Sequence, residues 1–280
     1  MKSPAPWLAV GNVPPREVSG ARRECHHAAQ IVVAACISFL PKKPDDSHTS
    51  LEWIGGLSAL AGGVVAARPP FRVALRLRDL ALLLLKPDET VVSQYSLAGN
   101  TLAGGYRWLR QQVEDAGLDP NQLTSARHFT IPGHPVEEGG VFATDSRFLE
   151  EMNRYYSNSA LVFGGLLAST PAASPVRCWP HHFDIATLIN EGGTRTIGVG
   201  LSPGDENYDE PYYYVTPYPY PEGELPILPA GRWHRKGWTG AVLTATEICQ
   251  VHEAESQRGR VMEFLDSAVA ACRSMNTSLS

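Results

Sequence analysis

The chain has 280 residues, 43% hydrophobic and 19% charged, with a formal net charge of −5. That balance is globular, long enough to bury a sizeable core, and outside the disordered class. The negative charge argues against nucleic acid as a partner, since phosphate binding needs a basic surface, and no apolar run approaches the roughly 18 residues of a membrane span.

Four prolines (Pro4, Pro6, Pro14 and Pro15) fall in the first fifteen residues, with no basic region followed by an apolar stretch. No export signal is therefore expected. Five scattered cysteines (Cys25, Cys36, Cys178, Cys249 and Cys272) form no C-x-x-C pair. They fit reduced thiols in a cytoplasmic protein.

Residues 16–40 read as a helix, because Val18, Cys25, Val32, Cys36 and Phe39 recur at helical spacing and Pro41 stops the pattern. His26 and His27 are assigned to its surface. The glycine-rich stretch 51–67 reads as short strands or a tight turn. In 71–78, Phe71, Val73, Leu75 and Leu77 alternate with Arg72, Ala74, Arg76 and Arg78, which predicts a strand with one buried and one basic face.

A second buried segment, 80–85, ends at the turn Pro87-Asp88. Asn100 or Thr101 can cap a helix reaching about Ala116. Two short strands are expected at 127–132 and 140–143, then a helix from Thr144 or Asp145 to about Tyr156. Strands at 176–189, 194–201 and 211–218 follow, the first two joined by Asn190-Glu191-Gly192-Gly193. A proline-rich connector leads to a strand at 238–248 and a closing helix with Val261, Leu265, Ala268 and Cys272 inward.

Strands in runs with helices grouped between them predict an α+β fold, a mainly antiparallel sheet covered by helices in two intimately packed halves. We read one domain over 1–280, with 1–170 and 171–280 as the possible sub-halves.

The chemistry-bearing residues concentrate in Trp179-Pro180-His181-His182-Phe183-Asp184 and in Ser202-Pro203-Gly204-Asp205-Glu206-Asn207-Tyr208-Asp209-Glu210. On a continuous strand, His181 shares a face with Trp179, Phe183 and Ile185, which makes it a buried structural histidine. His182 and Asp184 share the other face and are expected to meet a pocket.

Three readings of that pair stand open: a structural hydrogen bond, a metal site, and a metal-free acid–base pair. Glu206 or Glu210 supplies a third ligand or a catalytic base from the acidic loop. Tyr212 and Tyr214 form an aromatic wall beside it, and His234, between Trp233 and Trp238 in a basic turn, suits a substrate's anionic group. His134 and His48 are further candidates to join the site. No Gly-x-Ser-x-Gly elbow, phosphate loop or dinucleotide fingerprint is present.

The motifs Trp179-Pro180-His181-His182-Phe183-Asp184, Ser202-Pro203-Gly204-Asp205-Glu206, Glu210-Pro211-Tyr212-Tyr213-Tyr214-Val215 and Gly237-Trp238-Thr239-Gly240-Ala241-Val242-Leu243 resemble those of a bacterial family of uncharacterised proteins. The resemblance implies that these segments form a unit and carries no activity. The expectation is a cytoplasmic small-molecule enzyme performing metal-dependent hydrolysis, with a divalent ion (zinc, manganese or iron) at His182 and Asp184. Its rivals are a non-catalytic small-molecule-binding module and a metal-free transferase or lyase using His182 as base.

Overall fold

The computed structural model describes residues 6–277, so Pro4 of the N-terminal reading lies outside the described residues. The architecture is α+β, with antiparallel sheets and helices, as the sequence predicts. The strands formed from 71–78 and from 176–189 belong to separate sheets. The chain divides into two compact units. One holds 20–153 and 177–183; the other holds the residues up to 19 together with 154–176 and 184–280.

The first unit is built around α1 (Ser19–Phe39) and a meander of β1 (Glu52–Ile54), β2 (Ala59–Ala61), β3 (Arg72–Arg76), β4 (Ala81–Leu85) and β5 (Val91–Ser96), each strand pairing with the next. Leu60, Leu75 and Leu82 line up across three strands and are fully buried. Helix α2 (Leu102–Asp115) is capped by Thr101, whose side chain accepts from the Gly104 backbone N–H. It sits close because Gly105 has no side chain: a Cβ there would meet Ile31 and Leu97. β6 (Arg177–Trp179) also belongs to this unit, tied to Leu51 through the Cys178 backbone.

Four expectations for this unit need correction. The basic face assigned to 71–78 is not an open basic surface, because neighbouring strands pack Ala59, Ala61, Leu83 and Leu85 around Ala74 and the arginines beside it are paired with acids. Arg72 on that face is buried, donating to the Gly62 carbonyl and pairing with Glu52 at 2.8 Å. The segments 127–132 and 140–143 form no regular strand, and only isolated bridges at Val141 and Phe142 remain. β5 went unread because its alternation is largely solvent-facing. Finally, α1 is buried almost all round, His26 and His27 included.

The second unit is built on β7 (Asp184–Asn190), β8 (Thr196–Ser202), β9 (Tyr212–Tyr218), β10 (Arg232–His234) and β11 (Gly240–Thr244), in the order β10-β11-β9-β8-β7. Ile185, Val199, Leu201, Tyr213, Val215 and Leu243 make its apolar face. α5 (Ala254–Thr277) packs on this sheet with Phe264, Leu265 and Ala268 buried. The later part of α3 (Ser146–Ser169) adds Phe163, edge-on to Tyr213, and Ser159, whose hydroxyl lies 3.1 Å from the Tyr213 phenol.

The N-terminal segment is fastened by Gln257, which both accepts from and donates to the Val10 backbone at 2.9 Å. The strand expected through 248 ends at Thr244. There a capping box with Glu247 starts the short helix α4 (Ala245–Ile248). All five cysteines are free thiols. Among the described residues no helix is long and apolar enough to cross a membrane.

Candidate functional site

The second face of the β7–β11 sheet is polar and glycine-rich. Ala186, Gly200, Tyr214 and Val242 stand in one row across β7, β8, β9 and β11; Ser202, Tyr212 and Thr244 stand in the next. Alternation puts Asp184 on the same face as Ala186.

Gly200 lets Tyr214 lie flat across β8, since a Cβ there would come 2.5 Å from the ring's Cζ and hydroxyl oxygen. The Tyr214 phenol then donates to Asp184 Oδ2 at 2.5 Å. Gly240 accommodates the Trp238 indole in the same manner. Glycine here is required by close approach to another group rather than by backbone angle.

A second phenol–carboxylate pair lies beside the first. Tyr212 donates to Asp205 Oδ2 at 2.5 Å, while Asp205 Oδ1 accepts the backbone N–H groups of Asn207 and Tyr208. The acidic loop is therefore an ordered aspartate-anchored turn. Burial pushes the Tyr212 and Tyr214 phenols up from their ordinary range, reinforced by the hydrogen bond to Asp205 and the charge of Asp184 respectively. Both remain protonated donors at neutral pH.

Tyr208, His234 and Trp238 extend the aromatic surface. The His234 ring stacks on Trp238 at 4.5 Å. His234 Nε2 lies 2.7 Å from the Lys236 carbonyl, which can only accept, so Nε2 carries a proton, and Nδ1 shares a hydrogen bond with the Tyr208 hydroxyl at 3.0 Å. Both ring nitrogens are thereby engaged within the protein.

Of the residues singled out in the sequence, the fold brings Asp184, Tyr212, Tyr214 and His234 into this unit's polar face and its adjoining turn. Glu210 is engaged elsewhere, accepting the Thr246 backbone N–H at the start of α4 at 2.6 Å. Glu206 is exposed on the loop.

His181 and His182 do not lie on a strand. Pro180 cannot donate to a ladder, and Phe183 takes a left-handed φ of 58° while its N–H bonds back to the Trp179 carbonyl. The predicted 176–189 strand is thus broken at 180–183. His181, expected to be buried, is exposed. His182, expected in a pocket, is exposed too, its ring 4.3 Å from that of His181.

His48 accepts from the Lys43 N–H at 3.4 Å, and the His134 ring lies 5.8 Å from His27. Among the described residues, no group of three or more His, Cys, Asp or Glu side chains is placed to hold a metal ion.

Sequence reasoning passed over Asp205, Tyr208 and Trp238 as site members. The readable signal was the small-residue alternation Gly198-Val199-Gly200 in a strand paired with tyrosines, which calls for something large lying over it. Compared with protein-family profiles, curated proteins and solved structures, the chain matches none.

Proposed function

We propose that the protein binds a small polar molecule on the Tyr208–Tyr212–Tyr214–His234–Trp238 face, as a binding module without a metal-dependent reaction. The observation that carries this reading is the pairing of both carboxylates of the face, Asp184 and Asp205, with tyrosine hydroxyls at 2.5 Å. A carboxylate already accepting a short hydrogen bond from a phenol that stays protonated is a fixed, oriented acceptor, poorly suited to act as a base. His234 has both ring nitrogens engaged in hydrogen bonds within the protein, which supports the same conclusion. Stacked rings beside a few placed polar groups match the chemistry of small-ligand sites.

The test is tryptophan fluorescence and ligand-observed NMR with a panel of sugars, nucleobases and aromatic acids. Saturable binding that is lost in Trp238→Ala and Tyr208→Phe supports the reading. Binding unchanged in both variants overturns it, as does turnover of a panel member that depends on added metal.

A further inference from the structure

The buried polar face of α1 contains a feature that the tyrosine site does not use. His27 and Gln30 lie three residues apart on one side of the helix, 2% and 3% exposed. They line a cavity of about 180 Å³ together with Leu102, Tyr106, Ser125, Arg127 and Glu137. Every one of these residues belongs to the same unit.

The Gln30 amide cannot be turned around. Its nitrogen donates to the carbonyls of His26 and Pro180, both at 3.1 Å, and a flip would set oxygen against oxygen. Its Oε1 is left buried with no hydrogen-bond partner.

The His27 tautomer is fixed as well. Nε2 sits 2.9 Å from the Pro132 carbonyl and so carries the proton. Burial lowers the ring's pKa, which keeps Nδ1 a bare lone pair at neutral pH. That lone pair faces Glu137 Oε1 at 3.6 Å, two acceptors with no proton to share. Gln30 Oε1 is thus a buried acceptor without a donor, which is costly, and His27 Nδ1 and the partly exposed Glu137 carboxylate are further acceptors among the lining residues. A primary ammonium carries three N–H donors and a positive charge, which matches three acceptors of which one is a carboxylate. Arg127, 3.5 Å from Glu137, stands at the same wall and can meet a carboxylate carried by the amine.

We propose that this cavity is a binding site for the ammonium group of a small primary amine, held by Gln30 Oε1, His27 Nδ1 and Glu137. The site is independent of the tyrosine face.

The experiment titrates the isotope-labelled full chain with ethylamine, glycine and acetate, following the His27 ring nitrogens and the Gln30 side-chain amide by NMR. Saturable shifts with ethylamine or glycine, weakened roughly tenfold or more in Glu137→Gln, are the expected result. A preference for glycine over ethylamine shows that Arg127 contributes. Glu137 sits at the partly exposed mouth, so its substitution tests the site without emptying the core. Gln30→Leu provides a second check, since the Pro180 carbonyl keeps its contact with His26 Nε2. Saturation by acetate alone overturns the proposal in favour of an anion site at Arg127. Absence of saturable shifts with all three probes, or amine binding unchanged in both variants, also overturns it.

Discussion

His26 makes the stability of this protein depend on acid in a way that can be worked out from its surroundings. The ring is 7% exposed, stacks on Phe183 at 5.2 Å and lies 2.8 Å from the Pro180 carbonyl through Nε2. Burial lowers its pKa from 6.5 to about 4; the Pro180 hydrogen bond opposes the shift, and His27, Arg127 and Arg22 add to it. The unfolded chain therefore takes up a proton near pH 6.5, whereas the folded chain resists until about pH 4. His26's contribution is fully present above pH 6.5, falls as the pH drops through that window, and is gone below about 4. At about 1.4 kcal/mol per pH unit the loss comes to about 3 kcal/mol, a large share of a typical domain's stability. The assay is urea unfolding at pH 7, 5.5 and 4 for the parent and for His26→Leu. The variant loses a hydrogen bond, but Gln30 still donates to Pro180. It should be weaker than the parent at pH 7 and flatter with pH by about 3 kcal/mol between 7 and 4. Parallel pH profiles for the two proteins would refute the reasoning.

Gly200→Ala should lift the Tyr214 ring off β8, since the new Cβ would stand 2.5 Å from it. A cost of about 1–3 kcal/mol is expected from overpacking, together with weaker binding at the tyrosine face; calorimetric unfolding and the ligand panel check both. Unchanged stability in this variant would mean the ring is free to move. With zinc or manganese added, the parent and His182→Ala should show the same thermal midpoint, because His182 is exposed in a turn and Asp184 accepts from Tyr214. A metal-induced rise in the parent that His182→Ala abolishes would restore a metal site at His182 and Asp184.

Local periodicity and capping by themselves determined the α+β class, a capped start for α2 at Asn100 or Thr101, the closing helix and the strand that carries Tyr212 and Tyr214. These features depend on residues close in sequence, so one chain segment contains the information. Tertiary structure decided the rest. Alternation across 176–189 put His182 and Asp184 on one face, but Pro180 and the left-handed Phe183 broke the strand and cancelled that register. The helical pattern of α1 showed an apolar stripe, yet its polar residues are buried because distant carbonyls at Pro132 and Pro180 receive them. The basic face of 71–78 was covered at Ala74 once adjacent strands supplied alanines and leucines, and Arg72 and Arg76 on it were paired with acids. Carboxylate roles were the least legible of all. Asp184, Asp205 and Glu210 look alike in the sequence, and only their partners, two phenols and one helix N-terminus, separate the phenol-paired carboxylates from a structural cap.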